Sequence, residues 1–270
     1  MSRTHIVVIT LIVAASAFLT GCLRTMTTVI LKSDGTAIVR DSILLSMKGS
    51  TAEDRPDFLS DSVRKAIDSL ATASAGTLGP DARLTNLRLV DQGEYQGWIA
   101  EYTVANVNTL RIDQSRLAKM LATRVIEEEE SGSTAGMTFS YAKDRIVITN
   151  VPDLKSDAKD KKKKKQSKEQ LDMALGMMES FLGGMRMTVN VQSEPIIKKT
   201  NAKYVSGSTI TMYDVNMDKL IAAFRKNRNL MNELEGIESM ARQSDFEKAL
   251  RKLPEHTVTI ELQPTITIQW

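Results

Sequence analysis

The chain has 270 residues, 42% apolar and 26% charged, with 36 Lys and Arg against 33 Asp and Glu. A single cysteine excludes an internal disulfide, and one Cys with two His is too few for a zinc site of the usual type. The net charge of +3 is local: residues 155–169 hold eight Lys and three acids, and without Arg3 and that run 27 basic residues face 30 acidic ones, which argues against a nucleic-acid-binding face.

The N-terminus carries Arg3 and then an uncharged apolar stretch, residues 6–18. That is the length of a signal-peptide core and falls short of the roughly 20 residues of a membrane span. Leu19-Thr20-Gly21-Cys22 follows, and it resembles the lipobox of bacterial lipoproteins. The resemblance implies a diacylglycerol on the Cys22 sulfur, cleavage before Cys22, and acylation of the new amino group by chains such as palmitate. The thiol is then a thioether, neither redox-active nor a metal ligand. Residues 1–21 read as signal peptide, and the mature chain as anchored to its membrane on the extracytoplasmic side. Leu23 is not the Asp that resembles an inner-membrane retention signal, so the outer membrane is expected in a diderm host and the cell surface in a monoderm.

Residues 25–31 and 37–47 alternate as two strands around a tight corner at Asp34-Gly35. Residues 57–70 predict a helix with Phe58, Val63, Ile67 and Leu70 on one face, and residues 71–81 (ATASAGTLGPD) a loop. Residues 84–91 and 97–104 predict a strand pair around Gln92-Gly93. Asp113 predicts a cap for a helix carrying Leu117, Met120, Leu121 and Val125. Residues 137–141 and 145–149 predict a third hairpin. After the lysine run come a helix over 170–182 stopped by Gly183-Gly184, then a strand over 185–191. Residues 196–200 and 208–213 are expected to pair, Asp214 to cap a helix reaching Arg225, and residues 239–252 to form another helix. Strands over 257–262 and 265–269 close the chain, split by Pro264.

The class expected is α+β, with antiparallel sheets built from hairpins, packed helices, and no long apolar runs of a buried parallel sheet. Residues 22–150 and 170–270 read as two α+β halves joined by a solvated Lys-rich linker, 151–169, forming one elongated domain or two small ones. Tyr102-Thr-Val-Ala-Asn106-Val107-Asn108 and Thr211-Met-Tyr-Asp214-Val215-Asn216 echo one another, each an Asx-Val-Asn step after a strand.

Residues 183–220 (GGMRMTVNVQSEPIIKKTNAKYVSGSTITMYDVNMDKL) resemble the LppM-like domain of bacterial lipoproteins. The shared pattern is a strand, the step Thr200-Asn201-Ala202, a corner at Gly207, a second strand, and Asp214 before a helix. Ala202 stands where that pattern more often has Gly. The hairpin TTVILKSDGTAIV also fits. The resemblance covers about half the chain and implies an α+β envelope module, some of whose relatives bind membrane lipids or glycolipids. It carries over no ligand residue.

Two segments are candidates for contact with lipid. Lys161, Lys162, Lys163, Lys164 and Lys165 suit an anionic membrane surface, or simply a solvated loop. Met173, Met177, Met178, Phe181 and Met185 suit an adaptable apolar site. However, Met173, Met177 and Phe181 recur at core-facing helical spacing, which favours plain core over a groove. His256 sits near a strand end with no nucleophile motif beside it, and acids such as Asp214 and Glu101 are the residues a carboxylate-only hydrolase would use. No catalytic residue, cofactor or metal is expected. The functional expectation is a non-enzymatic envelope binding or scaffold module, tethered by Cys22; the alternative is a carrier or sensor holding a lipid or glycolipid in a Met-rich cavity. The expected partners are the membrane and, beyond the anchor, a lipid or another envelope protein, with no nucleic acid.

Overall fold

The computed structural model describes residues 23–47, 60–113, 136–151, 167–235 and 243–270. The first of two sheets contains β1 (Leu23–Leu31), β2 (Ala37–Ser46), β3 (Ala82–Gln92), β4 (Tyr95–Val104), β8 (Arg186–Ser193), β10 (Val205–Ser206), β11 (Thr209–Asn216) and β12 (Val258–Ile260). Its order is β10-β11-β8-β1-β2-β4-β3, with β12 also paired to β11. The second contains β5 (Arg111–Ile112), β6 (Gly136–Ala142), β7 (Arg145–Val151), β9 (Lys199–Thr200) and β13 (Thr265–Gln269), in the order β5-β6-β7-β13-β9. The helices are α1 (Asp61–Leu78), α2 (Lys168–Leu182), α3 (Met217–Lys226), α4 (Arg228–Glu235) and α5 (Gln243–Leu250), with a 3-10 turn at Val107–Thr109. The class is α+β with predominantly antiparallel sheets. The pairing of β1 with β8 is parallel. Strands from both sides of residues 151–169 share both sheets, β8 lying beside β1 and β13 beside β7.

The first hairpin forms as its alternation predicts. Thr25, Thr27, Val29 and Leu31 are buried and stand in register with Ile43, Asp41, Val39 and Ala37. At the corner, the Asp34 carboxylate accepts hydrogen bonds from the Thr36 amide and hydroxyl at 2.9 and 2.7 Å, and Gly35 takes a φ of 82° that favours glycine. The main core packs this sheet against Phe139, Ile146, Ile148, Ile266 and Ile268 of the second sheet and against α1. Tyr141 ties the layers together, its hydroxyl donating to the Ser33 carbonyl at 2.6 Å. The strand pairs around Gln92-Gly93 and Lys143-Asp144 also form.

Several expectations are corrected. Residues 71–78 continue α1 instead of forming a loop, because Ala71, Ser74, Ala75 and Leu78 present a narrow buried stripe at helical spacing. The Ser74 hydroxyl is satisfied inside the helix by the Leu70 carbonyl at 2.8 Å. Residues 196–200 do not pair with 208–213. Asn201 instead clamps its segment to β13, donating to the Thr265 carbonyl at 2.9 Å and accepting from the Thr267 amide at 2.7 Å. β11 pairs with β8, β10 and β12. Asp214 lies within β11; the cap of α3 is Asn216, which accepts from the Lys219 amide at 3.0 Å. The two echoed segments diverge, since Asn106 caps a single 3-10 turn and Asn216 a ten-residue helix. α4 has no counterpart among the predicted elements, and of the residues described from the helix expected over 239–252, Gln243–Leu250 are helical and Arg251 and Lys252 form a turn. The helix expected after Asp113, Phe58, residues 1–21, Cys22 and Lys161 to Lys165 lie outside the described residues.

Candidate functional site

Leu23 opens β1 one residue after Cys22, and β1 is flanked on both sides, by β2 and β8. The start of β1 therefore marks one end of the first sheet, and the chemistry at that end is cationic and apolar. Arg24 pairs in parallel register with Arg186. Two adjacent cations are tolerable because each has its own partner. The Arg24 guanidinium lies 4.8 Å above the centre of the Tyr95 ring. Arg186 donates to Asp214 from Nε at 2.9 Å and from Nη2 at 2.8 Å, and the Thr188 hydroxyl adds a third bond to Asp214 at 3.1 Å. Partial burial pushes the Asp214 carboxyl up, but the Arg186 bond and charge, the Thr188 hydroxyl and the charge of His256 outweigh it and leave it below its ordinary value. The bond to Asp214 raises Arg186 in turn.

α2 runs into the same end. Its N-terminus is a capping box: the Ser167 hydroxyl accepts from the Gln170 amide at 3.3 Å, and the Gln170 side chain accepts from the Ser167 amide at 2.9 Å. Glu169 in that first turn is lowered by its own backbone amide and by the Ser167 hydroxyl. At the C-terminus the chain turns at Gly183-Gly184, where the Gly184 amide donates to Asp218 at 2.5 Å and the Met217 amide to the Met185 carbonyl at 3.0 Å. β8 then begins at Arg186.

The orientation of α2 overturns the core reading of its methionines. The buried face is Leu171 and Leu175, with Ala174 and Met178 half-buried, packed against Ala223 and Phe224 of α3, Leu230 and Met231 of α4, and Ala249 of α5. Met173, Met177 and Phe181 are 67%, 57% and 62% exposed. The reason is that α2 has two apolar stripes, and Asp172 and Glu179 flank the first. Asp172 pairs with Arg228 at 2.6 Å and Glu179 with Arg225, so both acids are tied to the helices beneath. Met185 is half-buried in the turn before β8.

The other acid singled out in the sequence is separately occupied. Glu101 on β4 pairs with Arg40 at 2.6 Å, and that bond holds its carboxyl below the ordinary value. Glu261 is buried and accepts from the Lys203 amide at 2.6 Å and the Gln263 amide at 3.1 Å, so it shapes the loop between β12 and β13. A small cleft of about 120 Å³ lies beside it, lined by Lys203, Tyr204, Glu247 and Arg251 among others. His256 is exposed, at a φ of 58° in the turn before β12. Among the described residues no three His, Cys, Asp or Glu side chains gather as a metal site, and no helix is long and apolar enough to cross a membrane. The Arg186–Asp214 pair had no local signature, its partners being 28 positions apart.

No protein-family model matches this chain, and no curated protein matches it. Among solved structures, the folded domain of LppM from Mycobacterium tuberculosis, determined by NMR, is similar over 71% of this chain and 81% of that one, at 10% identity and a TM-score of 0.34.

Proposed function

We propose that this protein is a non-enzymatic binding module of the bacterial cell envelope, held at its membrane by lipids on Cys22. The observation that carries the reading is the position of Leu23. A lipidated Cys22 would be joined directly to a central strand of the first sheet, with no tether between anchor and fold. The acyl chains would then hold the sheet end itself at the surface, and two or three chains suffice for stable anchoring. The non-enzymatic part is supported by Glu101 and Asp214. Each is committed to an arginine and kept ionised, which suits a structural ion pair better than proton transfer. The carrier alternative draws no support from α2, whose Met173, Met177 and Phe181 face outward.

The test is mass spectrometry of the N-terminal peptide after expression of the whole chain in a bacterium. The expected product begins at Cys22 and carries a diacylglyceryl and an acyl group, and Cys22→Ala is expected to remain unprocessed. A wild-type chain that keeps residues 1–21, or starts at an unmodified Cys22, would overturn the reading.

A further inference from the structure

We propose that the open face of α2 is a second membrane contact beside the anchor, laying Met173, Met177 and Phe181 into the headgroup boundary of an anionic bilayer. The proposal rests on the reading of Cys22 as the lipid anchor. Three of the six large apolar side chains exposed among the described residues fall on this one helix, at positions i, i+4 and i+8. At 1.5 Å per residue they form a stripe about 12 Å long. Gly176 and Ser180 lie along its edge, and both are exposed and uncharged. Of the acids on α2 that would oppose lipid contact, Asp172 and Glu179 are held by Arg228 and Arg225, and Glu169, one turn before Met173, is drawn into the N-terminal cap by the Ser167 hydroxyl at 2.9 Å. This is the pattern of a helix that lies in the plane of an interface with its apolar side down.

Two observations commit the face to lipid over protein. The first is place: Phe181 lies in the last turn of α2, five positions before Arg186, and Arg186 pairs with Arg24 two positions after Cys22. The stripe thus ends where the anchor would begin. The second is charge: residues 155–167, which lead into α2, carry a net +5 in sequence, seven Lys against two Asp. An anionic surface attracts that charge, while a neutral apolar partner does not.

The test uses the full chain, expressed from its own N-terminus and reconstituted in vesicles of phosphatidylethanolamine and phosphatidylglycerol (3:1) or of phosphatidylcholine alone. An acylated Cys22 leaves no reactive thiol, so Met177→Cys can carry a single nitroxide. Ser33→Cys, exposed in the turn at the far end of β1, serves as the reference. In the anionic vesicles the label at 177 is expected to lose contact with a water-soluble nickel chelate several-fold relative to the label at 33, and to gain contact with oxygen. Adding Phe181→Asp, at a site too exposed to disturb folding, is expected to restore nickel contact. Equal nickel contact at 177 and 33 would overturn the proposal. Exclusion that survives Phe181→Asp with no gain in oxygen contact would assign the face to a contact between copies of the chain, and exclusion as strong in phosphatidylcholine would remove the role of anionic lipid; either result would overturn the proposal. A reactive thiol on the unsubstituted chain would sink the anchor alone, and the docking would then be read on a Cys22→Ser background.

Discussion

Arg186 and Asp214 join β8 to β11 through two parallel hydrogen bonds, Nε to Oδ1 at 2.9 Å and Nη2 to Oδ2 at 2.8 Å. Asp214 is mostly buried and Arg186 half exposed, at 18% and 50% of their side-chain surfaces. Solvent screening therefore limits the pair to about 1 kcal/mol, near the top of the range for surface pairs. The folded-state carboxyl lies below its ordinary 3.8, so its contribution is complete above that pH and is lost as pH falls below it. Asp214→Asn is expected to lower unfolding stability by about 1 kcal/mol at pH 7 and by progressively less below about pH 4. Urea denaturation at both pH values checks this. A deficit that stays constant into acid would mean the pair is not what the substitution removed.

A second polar pair lies inside the same sheet. The Thr27 hydroxyl donates to Asp41 at 2.7 Å, and both residues are buried in directly opposed positions of β1 and β2. Thr27→Val keeps the shape and removes the donor. Because Asp41 stays buried, the expected loss is about 1–3 kcal/mol, larger than the worth of an ordinary hydrogen bond. Equilibrium denaturation of the variant at neutral pH measures it, and a change under 0.5 kcal/mol would show that Asp41 is adequately satisfied by its other contacts.

Glycines 97 and 176 are expected to respond in opposite directions. A methyl group on Gly97 in β4 would run into the Ile43 carbonyl of β2, a backbone atom that cannot rotate aside. Gly97→Ala is expected to cost about 1–3 kcal/mol. A methyl on Gly176 meets nothing within 4 Å. Gly176 lies mid-helix in α2, so Gly176→Ala is expected to raise stability by about 0.5–1 kcal/mol through backbone entropy alone. Thermal melts of the two variants should shift to opposite sides of wild type.

The hairpins were legible in the sequence because each carries its own local instructions: alternation on both sides and a corner such as Asp34-Gly35 or Gln92-Gly93. What escaped was non-local or two-sided. The parallel pairing of β1 with β8 joins residues some 160 positions apart, for instance Arg24 with Arg186, and no short pattern announces it. Residues 71–78 are small and loop-like in composition, yet a sheet close enough to accept Ala71, Ser74 and Ala75 makes their helix worth forming. In the second half, Asp214 reads as the cap, yet the cap is Asn216, two residues on. Arg186 settles the matter by engaging Asp214 within the sheet.

α2 is the sharpest instance, because two apolar stripes share one helix and spacing alone does not say which is inside. Leu171 and Leu175 are 4% and 3% exposed, and they close a separate small core with Phe224 and Leu230. Truncating Leu175 to Ala opens a hole among four helices that have few other buried side chains, and it is expected to cost about 2–5 kcal/mol. Met177→Ala and Phe181→Ala remove side chains that touch mainly solvent, and each is expected to change stability by less than about 0.5 kcal/mol. The contrast is sharp because, with the helix turned over, truncating methionine would cost about as much as truncating leucine, and truncating phenylalanine at least as much. Chemical denaturation of Leu175→Ala, Met177→Ala and Phe181→Ala in the same buffer gives the order directly. A Phe181→Ala loss as large as that of Leu175→Ala would place the second stripe inside the fold and withdraw it from any surface role.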